Sequence, residues 1–221
     1  MSADRLVSRA TVGDAEDIAG LMADAFHPDP VSGWLLPDEI TRRSRHRRFF
    51  RVFVDYALWQ QDMRRGHVQM RYDGEYAGAA LWLDAGTINN TGPDPAAIEK
   101  ALGPDSFSRF LLLDKLMHQH STVAGRYAYL PFIAVRPRRQ NQSIGRLLLE
   151  TELAQLEKVG TPAFLIASTD RSRKLYTRLG FELWGDSFTL PDDGPPMWPM
   201  LWTPDPQRVP QNEGRWSGRP S

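Results

Sequence analysis

The stretch from Tyr127 to Glu157 constrains the fold more than any other part of the chain. It begins with an apolar strand pattern, continues through a short basic loop, and ends as an amphipathic helix pattern. A helix that begins directly after such a loop leaves backbone N–H groups without partners at the positive end of its dipole. Those N–H groups suit a phosphate, so the sequence predicts an anion-binding loop at residues 138–145.

Strand and helix patterns alternate along the chain, which favours helices packed on a sheet over an all-helical fold. Asp73-Gly74 separates two strand-like runs and predicts a hairpin. Residues 85–104 have the composition of a loop, with one helical turn from Pro95. The other predicted elements are strands at 6–10, 127–135 and 163–167, an antiparallel pair at 181–190 and 197–202, and helices at 15–26, 37–61, 107–120, 144–159 and 170–179.

Composition excludes several classes of protein. The 27 basic and 27 acidic residues balance, so nothing global indicates a nucleic-acid or anionic-membrane partner. The chain has no cysteine, which excludes disulfides, thiolate metal sites and an acyl-cysteine intermediate. No window reaches the roughly 18 apolar residues of a membrane helix, and the first residues lack a signal-peptide layout. We therefore expect a cytoplasmic protein without a metal centre.

Two common phosphate-binding motifs do not match the loop. A dinucleotide fingerprint needs three glycines and a later acidic residue, and a Walker loop ends in Gly-Lys-Ser or Gly-Lys-Thr. Instead, residues 135–145 read Val-x-Pro-x-x-Gln-x-x-Ser-x-Gly. This run resembles the Gln/Arg-x-x-Gly-x-Gly/Ala signature with which GNAT N-acetyltransferases hold the pyrophosphate of acetyl-CoA.

A second motif supports the same resemblance. Residues 175–181, Leu-Tyr-x-x-Leu-Gly-Phe, are similar to the Leu-Tyr-x-x-x-Gly-Phe motif of that superfamily. The resemblance spans roughly Leu6 to Trp202. Within the superfamily, residues 163–176 and 194–200 are similar to the puromycin N-acetyltransferase-like group, although Tyr127-Ala128-Tyr129-Leu130 replaces that group's usual His-Trp-Tyr-Leu run.

The resemblance implies a fold and a reaction. The fold is an α+β GNAT fold at residues 1–203, with a centrally split mixed sheet flanked by helices and a Pro-rich tail of little structure at 204–221. The reaction is direct acetyl transfer from acetyl-CoA to a primary amine of a small molecule in a ternary complex. Aminonucleoside antibiotics are candidate acceptors, and a homodimer is a candidate assembly.

The resemblance also assigns residue roles. Val135 N–H is the oxyanion donor, and Tyr176 is the proton donor to the sulfur of coenzyme A. Thr169 takes the place of an Asn that often contacts pantetheine, or it caps a helix. The implied cofactor contacts are Ile133, Ala134, Val135, Gln140, Asn141, Gln142, Ser143, Ile144, Gly145, Arg146 and Thr169.

Three points depart from the family pattern or stay open. Ser143 stands where the family has glycine, so its Cβ is expected to weaken or shift cofactor binding. The loop arginines 136, 138 and 139 form either an ordinary solvated cluster or a contact to the 3′-phosphate. The predicted central strand has no carboxylate to act as a base, which leaves water or one of four side chains: Asp84, His27, His118 and His120.

Two other functions remain as alternatives. One is a non-catalytic acyl-CoA-binding sensor, supported by Ser143 and by the strand without a carboxylate. The other is a toxin-like acetyltransferase acting on aminoacyl-tRNA, with the basic segment Arg42–Arg51 as its groove. A basic helix face in a neutral protein more often faces solvent, which disfavours nucleic acid.

Overall fold

The computed structural model describes residues 7–86 and 92–205. A 3-10 turn at Val12–Asp14 precedes the first helix, and another at Pro137–Arg139 precedes the sixth. The helices are α1 Ala15–Phe26, α2 Pro30–Leu35, α3 Glu39–Asp62, α4 Pro95–Leu102, α5 Pro104–His120, α6 Ile144–Val159 and α7 Asp170–Arg178. The strands are β1 Val7–Arg9, β2 Gly66–Tyr72, β3 Tyr76–Ala85, β4 Tyr127–Val135, β5 Ala163–Ala167, β6 Glu182–Leu183, β7 Phe188–Thr189 and β8 Pro196–Trp202.

The strands form one mixed sheet in the order β1-β2-β3-β4-β5-β8-β6, with β7 paired to β8. Neighbouring strands are antiparallel except β4 and β5, which run parallel. Those two strands pair only where Ala128 faces Ala163 and Tyr129 faces Phe164. Beyond these residues β4 and β5 separate, and the sheet is split at its centre.

Pro131 lies where the split begins. The pairing register between β3 and β4 shifts between Leu81 and Leu83, opposite the segment that contains Pro131. A proline cannot donate to a ladder and is accommodated in a sheet at edges or bulges. The irregularity at Pro131 therefore bends β4 away from β5 and opens the gap between them.

Two hydrophobic clusters cover the two faces of the sheet. On one face α1 and α3 pack on side chains that include Phe132 of β4 and Ile166 of β5. On the other face α6 and α7 pack on side chains that include Ile133, Val135 and Leu165. Burial of this apolar surface is the main stabilising contribution, at roughly 25 cal/mol per Å².

The centrally split mixed sheet flanked by helices confirms the predicted fold, and the hairpin and the helix after the anion loop are where the sequence places them. Three local predictions were incomplete. Helix α2 is absent from the predicted elements, α4 has eight residues rather than one turn, and residues 181–190 contain two short strands instead of one.

The missed helices have the same physical cause. Each begins with a proline at its first position, preceded by an aspartate whose side chain accepts a hydrogen bond from the main chain two residues on: Asp29 for α2 and Asp94 for α4. Proline tolerates the first helical turn, and aspartate is a favoured N-cap. The proline-rich composition therefore marked helix starts and not only loops.

None of the helices described is long and apolar enough to cross a membrane. The tail predicted at 204–221 lies outside the described residues from 206 onward.

Candidate active site

The gap between β4 and β5 exposes main-chain amides of β4. Arg136 N–H donates to Ala77 O at 2.9 Å, and Gly78 lies opposite Val135. Hydrogen-bonded and non-hydrogen-bonded pairs alternate along antiparallel strands. Ile133 and Val135 therefore belong to non-hydrogen-bonded pairs, and their N–H groups point away from β3 and into the gap.

The same alternation separates Ala134 from its neighbours. Ala134 lies opposite Ala79 in a hydrogen-bonded pair, so its N–H is directed to β3. Of the three strand residues proposed as main-chain contacts, Ile133 and Val135 offer amide donors to the gap and Ala134 does not. The Val135 carbonyl accepts from Gln140 Nε2 at 3.3 Å, which joins the strand to the loop that follows.

The loop before α6 concentrates N–H donors. Asn141 and Ser143 have left-handed backbone conformations, each with φ of 61°. Within the described chain the N–H groups of residues 141–146 have no backbone or side-chain acceptor, and the first bond of the helix is Leu147 N–H to Ser143 O at 2.9 Å. Left-handed residues interspersed in a turn produce concave amide nests that bind anions. The loop is therefore a fitting cradle for a phosphate.

Helix α6 begins very close to the sheet. A Cβ on Gly78 of β3 would lie 2.7 Å from Ile144 Cγ2, a separation that real Cβ atoms do not show. A Cβ on Gly145, the second residue of α6, would lie 3.5 Å from Val135 Cγ2, which is an ordinary van der Waals contact. The small residue at 78 thus lets the start of α6, and with it the amide nest, approach β3.

The loop arginines have carboxylate partners from the β2–β3 hairpin. Arg139 lies 2.6 Å from Asp73, and Arg138 forms a very short ion pair with Glu75. Arg136 Nε donates to Tyr76 O at 2.8 Å and lies 3.4 Å from Glu75. Because these ion pairs neutralise the arginines, the loop carries little net positive charge in the fold. It looks basic in the sequence only because its acidic partners lie more than 60 positions away.

Two other arginines lie close to the loop. Arg146 pairs with Glu150 one turn along α6 at 2.8 Å. Arg171, on α7, donates to Gln140 Oε1 at 3.2 Å and to Asn141 Oδ1 at 2.9 Å. Sequence reasoning did not single out Arg171, because its contact to the loop is made only in the fold.

Tyr176 of α7 is 7 % exposed and packs near Phe181. Its hydroxyl makes no hydrogen bond to the described residues, and burial, together with the nearby charge of Asp29, raises the pKa of the phenol. The phenol therefore stays protonated and is suited to donate a proton. Thr169 caps α7 by accepting from Ser172 N–H at 3.1 Å.

Asp29 is a functional candidate that sequence reasoning missed. Its carboxylate accepts from Ser168 Oγ at 2.7 Å and from Val31 N–H at 2.9 Å, and burial raises its pKa above that of an ordinary aspartate. Ser168 follows directly after β5, so the pair lies at the end of the diverging strand. A carboxylate with a raised pKa is a stronger base.

Three of the four side chains first considered as bases have other partners. Asp84 is ion-paired with Arg126 at 2.7 Å. His118 is on the surface beside Asp114, and His120 stacks on Phe188 with ring centroids 4.2 Å apart.

The fourth, His27, ends α1, and its Nδ1 is buried with no partner among the described residues. Nearby His46 is also buried, and its pKa is lowered to about 4, first by burial and then by the charge of His27. His46 is therefore neutral at pH 7. Among the described residues, no hydrogen bond of His27, His118 or His120 leads to the gap as the Ser168 hydrogen bond of Asp29 does.

Comparison with known proteins adds a family-level result. A model described as the acetyltransferase (GNAT) family matches residues 34–181, well over half of the chain. No protein of curated function matches the sequence significantly.

Solved structures share the fold at low sequence identity. A protein from Corynebacterium glutamicum, described as histone acetyltransferase HPA2 and related acetyltransferase, is 23% identical, with a TM-score of 0.63 over 90% of this chain and 96% of that one. A mosquito arylalkylamine N-acetyltransferase-like protein is 16% identical, with a TM-score of 0.60 and coverage of 90% and 99%. A Drosophila melanogaster polyamine N-acetyltransferase is 14% identical, with a TM-score of 0.61 and the same coverage.

Proposed function

The chain belongs to the GNAT acetyltransferase family, and we propose that it transfers an acetyl group from acetyl-CoA to a primary amine of a small molecule by direct attack. The observation that carries this proposal is the gap between β4 and β5. The N–H groups of Ile133 and Val135 point into it, and the partly buried carboxylate of Asp29 accepts a hydrogen bond from Ser168 directly after β5. The phenol of Tyr176, whose pKa is raised by burial, lies near enough to Asp29 for that charge to raise it further.

The donor side fits coenzyme A. GNAT acetyltransferases use acetyl-CoA, which supplies an activated acyl thioester. The N–H groups of residues 141–146 would hold its diphosphate, with Ser143 and Ile144 at the start of α6. Ile133 and Val135 would bind the pantetheine arm and the thioester through their free N–H groups, and Thr169, two residues after β5, would contact the pantetheine arm beside them.

The reaction forms a C–N bond and breaks a C–S bond. Val135 N–H donates to the thioester oxygen as negative charge develops on it. Asp29 accepts the proton of the attacking amine, either directly or through the Ser168 hydroxyl, and Tyr176 donates a proton to the departing thiolate. Solvent then returns the proton from Asp29 to Tyr176, so that the net proton count balances.

The acceptor side favours an amine with an apolar or aromatic part. Tyr129 and Phe132 of β4 and Ile166 of β5 are partly exposed on the face covered by α1 and α3. Similar folds in proteins named for arylalkylamines and polyamines support a small amine as acceptor. Aminonucleosides such as puromycin combine a primary amine with aromatic rings and remain candidate acceptors.

A panel assay tests the proposal. Thiol release from acetyl-CoA is measured with puromycin-like aminonucleosides, arylalkylamines, polyamines and short peptides. We expect turnover with amines that carry an aromatic group, and least with peptides. Binding of acetyl-CoA without turnover of any amine would instead support a sensor domain. Tight RNA binding that weakens steeply with salt would support the aminoacyl-tRNA alternative.

A further inference from the structure

We infer that Arg171, on α7, is the phosphate-binding cation of the coenzyme A site. The inference rests on the proposed function, because it concerns the same cofactor loop. The inference adds a residue from α7 to the amide nest at the start of α6. It also assigns the positive charge of the site to Arg171 rather than to the loop arginines 136, 138 and 139.

The geometry places the Arg171 guanidinium at the entrance of the loop. Arg171 is the second residue of α7, and it is exposed. Its two terminal nitrogens donate separately, one to Gln140 Oε1 at 3.2 Å and the other to Asn141 Oδ1 at 2.9 Å. The N–H of Asn141 is the first of the unpaired amides. The guanidinium is therefore fixed beside the donors that would meet a phosphate.

The charges of the neighbouring arginines are already compensated. Around the loop, and within the described residues, each of the others has a carboxylate within 4.0 Å: Arg136 and Arg138 have Glu75, Arg139 has Asp73, Arg146 has Glu150, and Arg173 has Asp170. Asp170, the sequence neighbour of Arg171, is held by Arg173 at 2.5 Å and Lys174 at 2.6 Å. Arg171 is bound only to neutral amide oxygens.

This difference decides which arginine a phosphate would attract. An arginine paired with a carboxylate must give up a charge-assisted bond to bind a phosphate, whereas Arg171 gives up bonds to neutral oxygens. Its planar fork also matches the oxygens of a phosphate in pairs. The group bound is a phosphate of coenzyme A, which is either its diphosphate or its 3′-phosphate.

Calorimetric titration of the full chain distinguishes the two phosphates. Coenzyme A and 3′-dephospho-coenzyme A are titrated into the wild type, Arg171→Ala, Arg171→Lys and the control Arg178→Ala. Arg178 is an exposed arginine on the same helix, so the control removes the same charge. We expect Arg171→Ala to bind coenzyme A about tenfold more weakly or worse, Arg171→Lys to be intermediate, and Arg178→Ala to match the wild type.

The second ligand locates the contact. If Arg171→Ala loses affinity for coenzyme A but not for 3′-dephospho-coenzyme A, Arg171 binds the 3′-phosphate. If it loses affinity equally for both ligands, Arg171 binds the diphosphate. Arg171→Ala binding both ligands within twofold of the wild type would overturn the inference. Failure of the wild type to bind either ligand would overturn the proposed function first, so the two failures are distinguishable.

Discussion

The two sides of the gap between β4 and β5 are built in different ways. The donor side consists of short, nearly continuous segments, residues 133–146 and 169–176, and its chemistry is carried by main-chain amides and one phenol. On the acceptor side, the hydrogen bond between Asp29 and Ser168 joins residues 139 positions apart. The amides of the donor side are therefore arranged mainly by local structure, whereas the acceptor side depends on contacts between distant parts of the chain.

This difference explains how the two sides can vary. Main-chain amides at a strand edge and a helix start depend little on side-chain identity, so the donor side should tolerate side-chain substitutions. The acceptor side depends on α2, on the segment after β5 and on aromatic side chains from β4. Side-chain changes there would alter the amine without disturbing the donor site.

The largest expected effect is on the acceptor side. An amine of pKa near 10 is only about one part in a thousand neutral at pH 7, so loss of the base should lower kcat about 100- to 1,000-fold. Asp29→Asn should show this loss in a thiol-release assay with unchanged affinity for coenzyme A. Asparagine still caps α2 by accepting from Val31 N–H.

The matched control is Asp38→Asn, the same change at the exposed N-cap of α3, which should retain wild-type turnover. Because burial raises the pKa of Asp29, the folded state loses stability as pH rises from the ordinary aspartate pKa through the raised one. Asp29→Asn should therefore be at least as stable as the wild type at pH 7 in urea unfolding. A kcat within threefold of the wild type would exclude Asp29 as the base.

On the donor side, Tyr176→Phe should lower kcat by about 30- to 100-fold. The effect is smaller than at Asp29 because a thiolate, with a pKa near 8.5, leaves partly without protonation. The hydroxyl makes no hydrogen bond to the described residues, so unfolding free energy should change by less than about 0.5 kcal/mol. Tyr72→Phe, at an exposed tyrosine of β2, is the control. Equal losses in turnover and in coenzyme A affinity would indicate a packing role for Tyr176.

The smallest effect is expected at Ser143. Its φ of 61° costs a non-glycine residue about 1 kcal/mol, part of which glycine returns through the greater freedom of its unfolded state. Ser143→Gly should therefore stabilise the protein by up to about 0.5–1 kcal/mol in thermal unfolding. It should also bind coenzyme A a few-fold more tightly. Ser143→Ala keeps the backbone strain, and if it gained as much as glycine, the strain explanation would be wrong.

The strand, loop and helix that make up the donor side could be predicted from the sequence for a physical reason. The alternation of β4, the loop and the start of α6 are local features, and the hairpin at Asp73-Gly74 is set by its turn. Ion pairing of the loop arginines to Asp73 and Glu75 was not predictable, because it joins residues more than 60 positions apart. The contact between Arg171 and Asn141 was not predictable for the same reason, because it joins residues on two different elements.

The acceptor side was harder to predict from the sequence, because its residues come together only through long-range contacts. Prolines at 28 and 30 indicate the end of a helix, although Asp29 between them also caps α2. In sequence Asp29 does not differ from any other loop aspartate, because its contact with Ser168 exists only in the fold. Of the side chains considered as bases, the fold pairs Asp84 with Arg126 and places His118 beside Asp114 and His120 against Phe188.

The most direct test of this account is the pH dependence of kcat, measured with both substrates saturating, for the wild type and Asp29→Asn. The wild-type kcat should fall as the pH is lowered through the raised pKa of Asp29, since a protonated carboxylate accepts no proton. The variant should have a low kcat that lacks this limb and instead keeps rising with pH, because it depends on the neutral fraction of the amine. If both proteins show the same acid limb at similar rates, Asp29 does not accept the amine proton.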